Sequence, residues 1–297
     1  MRHMLALKYI DAVAKAGSIR AAAETLAITP SALNRRILTV EEELGIEIFE
    51  RHSLGVRLNS AGELFIQHIR AQMADLERVR SRIADLSGVR LGHVRIATTK
   101  EIGANLLPGL IQSYRSEFPG VTFSIETFAR AQVERQLHSL DADIALVFQP
   151  LRLADVQTLI HTQQEIHCVM SPNHLLAQRT ALRLVDCLEH GAILPPRGDG
   201  VRELIEAAAV KKGLNCMPAV EADDVNLIQN IARQNGGVAF SYSLADQNGV
   251  GEGLVKVPLH VGELDPGFLF VGQLHKRTLP VAASKFVEEL RKKIDRH

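Results

Sequence analysis

Long hydrophobic runs are absent: no stretch of the chain approaches the ~18 consecutive apolar residues of a membrane-spanning helix, and the opening Met1-Arg2-His3-Met4 leads into no secretory apolar run. A cytoplasmic protein without membrane association is expected. Cysteine is scarce. Cys168, Cys187 and Cys216 have no C-x-x-C spacing and are too few for a disulfide scaffold, so reduced and partly buried thiols are the simpler reading. Excess charge is also missing, with 34 Lys and Arg against 34 Asp and Glu. That balance argues against coating nucleic acid by bulk charge and leaves room for a local basic surface. No H-E-x-x-H, Walker loop or G-x-S-x-G occurs, and the 12 histidines form no clustered ligand set. Gly249, Gly251 and Gly253 have the wrong spacing for a dinucleotide fingerprint and read as a flexible loop. No catalytic residue, metal site or resident cofactor is expected.

What is present is an ordinary globular composition, 46% hydrophobic and 23% charged, over 297 residues. That length predicts two or three domains. Leu5, Tyr9, Ile10 and Val13 form a helical apolar stripe that stops at Gly17. Ser18 is a good N-cap for a short helix over 19–26, whose Ala21, Ala22 and Ala23 allow close helix approach. After a turn at Ala27-Ile28, Thr29 caps a third helix with Pro30 at its first position, where a missing N–H costs nothing. This order of caps and breakers predicts a helix-turn-helix. The first turns of its second helix present Thr29, Ser31, Asn34 and Arg35, with Arg36 close by. Arg suits guanine and Asn adenine in the major groove, while hydroxyls at a helix N-terminus suit phosphate. Leu33 and Ile37 fall on the opposite, core side, and the acidic run Glu41 to Glu43 reads as a solvated face. Two short extended pieces follow, from Phe49 to Leu58 around Leu54-Gly55, with Arg51 and Arg57 poised for the sugar-phosphate backbone. Over residues 1–60 eight cations face seven acids, so only placement makes one face basic.

Taken together, Gly17-Ser18-Ile19 with Ala21-Ala22, Ser31-Ala32-Leu33, Glu42-Glu43-Leu44-Gly45, Ile48-Phe49-Glu50-Arg51 and Val56-Arg57-Leu58 with Ala61-Gly62 resemble the DNA-binding domain of LysR-type transcriptional regulators. Pro30 stands where Gln is usual in that family, Asn34 where Ser is usual, and Asn59 where Thr is common. Pro30 and Asn59 keep the capping logic, so the departures bear on base preference rather than fold. The resemblance implies an α+β multidomain chain: an N-terminal winged helix-turn-helix (1–58), a long linker helix (59–88) and a two-lobed α/β effector domain like a periplasmic binding protein. Lobe I would hold 93–163 and 267–297, and lobe II 164–266.

Beyond Asn59, Ile66, Ile69, Met73, Leu76, Val79, Ile83 and Leu86 recur at steps of three and four. Such a stripe needs a partner, either the chain's own body or a second subunit; pairing with a second copy would let two recognition helices read two half-sites. In the family the resemblance names, this helix dimerises. Gly88 and Gly92 bracket a hinge. From His93 the rhythm changes to strand, helix (104–118), strand (121–125), helix (132–140) and buried strand (144–148), which predicts a parallel sheet. A second series restarts at Ile166, with strands near 192–195, 219–221 and 237–241 and helices near 200–213 and 224–235. Phe268 to Val271 and a helix over 282–294 close the chain.

Ligands in open α/β lobes sit at the carboxyl ends of strands and at helix N-termini. That singles out Thr98, Thr99, Lys100, Thr127, Phe128, Phe148 and Gln149, with Pro196, Arg197, Gly198, Asp199, Gly200 and Arg202 from the second half. Hydroxyls and cations facing one cleft suit a small carboxylate or other anion, whereas Asp199 would oppose one, so the ligand's charge stays open. The expected partners are double-stranded operator DNA, a small-molecule effector, further copies as homodimer or homotetramer, and RNA polymerase. The rival reading is a thiol-based redox-sensing regulator using Cys168, Cys187 or Cys216.

Overall fold

The computed structural model describes residues 2–53, 55–86, 91–152, 154–243 and 253–295. Leu54, Gly88, Gly249 and Gly251, named above for the wing turn, the hinge and the loop, lie outside them. Two compact units emerge, Met1–Val79 and Arg80–His297.

In the first unit, α1 (Arg2–Ala16), α2 (Ile19–Thr25) and α3 (Pro30–Leu44) precede a hairpin of β1 (Phe49–His52) and β2 (Gly55–Leu58) and the start of α4 (Ser60–Leu86). The helix ends form as the sequence dictates. Ser18 accepts from Ala21 N, Thr29 accepts from Ala32 N, and Gly45 closes α3 in the left-handed conformation. Asn59 Oδ1 accepts from Gly62 N at 2.8 Å and so caps α4. Ile10, Val13, Ala23, Leu33, Ile37 and Ile48 make the core. Leu7 belongs to that core, whereas Leu5, expected inside, is 43% exposed, because the helix turns its neighbours inward. Ile66 and Ile69 also complete this core, so the first part of the linker stripe packs on its own domain. The rest of the stripe differs: Val79 and Ile83 are 48% and 59% exposed.

The second unit carries β3 (Gly92–Thr98), α5 (Lys100–Asn105), α6 (Leu107–Glu117), β4 (Val121–Thr127), α7 (Arg130–His138), β5 (Ile144–Phe148) and β6 (Val156–Gln164). Next come β7 (Ile166–Met170), α8 (Leu184–Glu189), β8 (Ile193–Leu194), α9 (Gly200–Lys211), β9 (Val220–Glu221), α10 (Val225–Arg233), β10 (Ala239–Tyr242) and β11 (Val255–Pro258). Last are β12 (Gly267–Leu274) and α11 (Val281–Ile294). A five-stranded sheet has the order β4-β3-β5-β12-β6, a three-stranded sheet β10-β7-β11, and β8 pairs with β9. In the five-stranded sheet the expected parallel pairing holds for β3, β4 and β5, and β8 and β9 also run parallel. β12 runs antiparallel between β5 and β6, because the chain leaves along β6 and returns beside it. The single helix expected over 104–118 is two, since Pro108, in the first turn of α6, has no N–H with which to continue α5. Among the described residues no helix is long and apolar enough to cross a membrane.

Candidate functional sites

In the first unit the exposed first turns of α3 lie beside the hairpin. Thr29 Oγ1 and Ser31 Oγ are 3.3 Å apart at the helix tip, and Pro30 and Arg35 are exposed. The hairpin is positioned by backbone. Val56 N donates to Gly17 O at 2.9 Å, and a Cβ on Gly55 would stand 2.3 Å from that oxygen, so only glycine fits where the hairpin meets the α1–α2 turn. Glu41, read as part of a solvated face, instead accepts from Ile48 N at 2.7 Å and Phe49 N at 3.2 Å, tying the end of α3 to the first strand. Arg51 Nη2 donates to Asn34 Oδ1 at 2.9 Å. The two residues chosen separately as DNA contacts therefore form one unit, in which the Asn34 amide N–H groups stay available. Arg57 is exposed on β2. Arg36 has a different posture: it donates to the Tyr9 hydroxyl at 3.2 Å and lies over the Tyr9 ring at 4.9 Å, a cation–π contact that holds it toward α1. Ser18 is occupied as the α2 cap.

In the second unit a cavity of about 560 Å3 opens between the strand ends of the large sheet and the elements around β8, α9 and α10. Of the residues named from the sequence, Thr99, Lys100, Phe128, Pro196, Arg197, Gly198 and Asp199 line it; Thr98, Thr127, Phe148, Gln149, Gly200 and Arg202 do not. Each exception has a local reason. Thr98 and Thr127 are the paired last residues of β3 and β4; Thr98 is fully buried, and the methyl of Thr127 packs toward Gly103. Phe148 stacks on Tyr242 with centroids 4.4 Å apart. The carbonyl of Gln149 accepts from Arg130 Nη1 at 2.7 Å. Gly200 lets α9 approach β5, since a Cβ there would meet Phe148 O at 2.9 Å. Arg202, 2% exposed, is bound to Glu206 at 2.7 Å, Pro195 O at 3.2 Å and Glu221 at 3.3 Å.

Sequence reading missed Arg130, Glu101, Glu203 and Asp223, which also line the cavity. Arg130 is buried and pairs with Glu203. Lys100 Nζ meets Asp223 at 2.6 Å, which holds the Asp223 carboxyl below the usual range, and Ser241 Oγ donates to Glu101 at 3.1 Å. Asp199 caps α9 by accepting from Val201 N at 2.8 Å, and burial raises its pKa. The arrangement supplies polar groups around an apolar chamber. Among the described residues no group of three or more His, Cys, Asp or Glu is arranged to hold a metal. Of the cysteines, Cys168 Sγ and Cys187 Sγ lie 3.3 Å apart in the core, while Cys216 is half-buried.

The sequence profile described as "Bacterial regulatory helix-turn-helix protein, lysR family" matches residues 4–63, and that described as "LysR substrate binding domain" matches 87–295. The chain is 25% identical over 211 residues to the transcriptional dual regulator GltC of Bacillus subtilis, covering 71% of this chain and 70% of that one. It is 24% identical over 233 residues to the RuBisCO operon transcriptional regulator of Allochromatium vinosum, covering 78% and 77%. Among solved structures it is similar to a full-length OxyR variant from Pseudomonas aeruginosa, with TM-score 0.74, 18% identity, and 97% and 94% coverage. It is also similar to full-length CbnR in complex with its target DNA, with TM-score 0.65, 17% identity, and 97% and 99% coverage.

Proposed function

The chain belongs to the LysR family of transcriptional regulators, and from that premise we propose that it reads a two-part operator as a homodimer or homotetramer under the control of a small carboxylate or other anion held in the cavity of its second unit. The observation that carries the DNA-reading half is the open tip of α3. Thr29, Ser31 and Arg35 stand exposed on it, and Arg51 of the wing is bonded to Asn34 beside them. Arg35 has no acceptor of its own among the described residues, so its guanidinium is available to a base edge. Arg36, seated on Tyr9, suits a phosphate better than a base. The exposed part of the α4 stripe, Val79 and Ile83, supports pairing with a second copy, which supplies the second recognition helix a near-neutral domain needs. Control follows if the ligand binds two arrangements of the assembly with different affinity, with RNA polymerase as the downstream partner.

A mobility-shift titration at fixed salt tests this. Arg35→Ala is expected to lose about 1–3 kcal/mol of discrimination per half-site, and unaltered operator affinity would refute the assignment of the recognition helix. A second reading, thiol-based redox sensing, draws support from one distance, the 3.3 Å between Cys168 and Cys187. Against it stands their complete burial, which raises the Cys168 pKa and disfavours the reactive thiolate.

A further inference from the structure

The wing and the recognition helix share a side-chain hydrogen bond whose chemistry fixes which way an amide faces. Arg51 Nη2 donates to Asn34 Oδ1 at 2.9 Å. A guanidinium carries donors only, so the end of Asn34 turned to it must be the oxygen and not the nitrogen. The Asn34 Nδ2–H groups meet no acceptor among the described residues. No carboxylate among those residues pairs with Arg51 either; the adjacent Glu50 turns to His52 at 3.6 Å. The strand that carries Arg51 is fixed independently of this bond. Ile48 N and Phe49 N both donate to Glu41 near the end of α3. Arg51 stands opposite Val56, whose N–H is bonded to Gly17 O, and Phe49 is buried in one core with Leu33 and Ile37. Arg51 thus reaches Asn34 from a backbone already in place, and on α3 the neighbouring Ser31 and Arg35 are exposed.

In the major groove the grip of Asn on adenine uses both ends of the amide: the oxygen accepts from N6–H while the nitrogen donates to N7. Both ends must then lie on one base edge. With the oxygen held toward the wing, only N–H groups are left for a base. Guanine offers acceptors alone, O6 and N7; thymine offers O4 beside its methyl, adenine mixes an acceptor with a donor, and cytosine offers a donor. Building on the reading of α3 as the recognition helix, we propose that Asn34, held by Arg51, is a donor-only specificity residue that selects guanine over adenine at one base pair of each half-site. Asn by itself suits adenine, so the wing changes what the helix reads. Arg51 acts there as a positioning residue, and its remaining N–H groups serve the sugar-phosphate backbone.

The test uses the full chain and random-sequence duplex DNA. Selection at low salt with wild type, Asn34→Ala and Arg51→Met is followed by anisotropy titration of the selected duplexes. The wild type is expected to select a G·C pair at the position where Asn34→Ala loses its preference. In Arg51→Met the freed amide oxygen lets Asn34 grip adenine. At that pair the affinity ratio of G·C to A·T should then fall about fivefold or more, beyond the uniform loss from a missing phosphate contact, which low salt keeps measurable. Replacing the guanine by 7-deazaguanine, which pairs normally but lacks the N7 acceptor, should weaken the wild type and leave Asn34→Ala unchanged. If Arg51→Met binds no duplex even at low salt, that comparison decides. An A·T pair at this position in the wild type, an unchanged G·C to A·T ratio in Arg51→Met, or equal sensitivity of wild type and Asn34→Ala to 7-deazaguanine would each overturn the proposal. If Asn34→Ala alters no position while Arg35→Ala alters one, the role of Asn34 falls and the recognition helix stands. If neither alters any, the assignment of the recognition helix falls as well.

Discussion

Thr29 allows the structural and the DNA-facing duties of one side chain to be separated. Its Oγ1 accepts from Ala32 N at 3.3 Å, and its backbone is extended, φ −77° and ψ 144°, as an N-cap requires. Thr29→Ala deletes the cap and should cost about 1 kcal/mol of stability. Thr29→Asp restores an acceptor and adds a negative charge at the positive end of α3, worth about 0.3–1 kcal/mol in favour of the fold. On DNA the signs reverse. A carboxylate about 6 Å from a phosphate in a water-like dielectric is repelled by about 0.7 kcal/mol, or about 1.4 kcal/mol over two recognition helices, roughly tenfold in affinity. Screening with a Debye length of about 8 Å at physiological salt reduces this to about threefold. Melting and fluorescence-anisotropy titrations at low and physiological salt should therefore give opposite orders: stability ranks Asp at or above Thr and both above Ala, while operator affinity ranks Thr above Ala above Asp. Wild-type operator affinity in Thr29→Asp at low salt would show that the tip of α3 does not face the phosphates.

Burial raises the pKa of Asp199, so ionising it in the fold opposes stability, and that loss grows as pH rises from the ordinary aspartate range of about 4 to the folded value. Asp199→Asn keeps a capping side chain and removes the charge; its melting temperature relative to wild type should climb through that interval and then level off, and a flat difference would refute the cause assigned. If the Cys168–Cys187 pair is redox-active, peroxide converts the two thiols to one disulfide, two protons and two electrons reducing the peroxide to two waters, and peptide mapping finds Cys216 unlinked. Peroxide-dependent operator binding that survives replacement of all three cysteines would exclude thiol sensing.

Local chemistry made the first unit readable. Ser18, Thr29, Pro30, Gly45 and Asn59 each fix a helix end within a few residues of chain, and each occupies the place those rules assign. What escaped depends on contacts across elements. The Arg51–Asn34 and Arg36–Tyr9 contacts span 17 and 27 residues, and no spacing rule reports them. At the cavity the rule that ligands gather at strand ends picked loops that line the chamber, but the last strand residues, Thr98 and Thr127, are spent on the sheet pairing, and the lining begins one residue later at Thr99 and Phe128. β6 escaped because Val156–Gln164 is an edge strand with much of its length exposed, so its apolar pattern is thin. Arg130 escaped because a cation in the first turn of a helix gives no sign of being buried until the opposing wall is known.

The connections across the cavity bear on how a ligand could act. Lys100–Asp223 joins two exposed side chains, where solvent screens the pair and leaves it weak. Glu101 and Ser241 add a hydrogen bond worth about 1–2 kcal/mol. These two contacts hold the walls together by amounts that a ligand of modest differential affinity can offset. Arg130 is different, because it is buried and its partner Glu203 comes from the opposite wall. A carboxylate bound beside Arg130 would compete with Glu203 for the same guanidinium. Where it wins, Glu203 is half-exposed and can be hydrated at little cost, so the exchange removes a bond between the walls while satisfying the buried cation. A neutral ligand filling the same chamber leaves that bond in place. On the proposed reading, the charge on the effector, more than its bulk, would decide whether occupancy changes the balance between arrangements of the two walls.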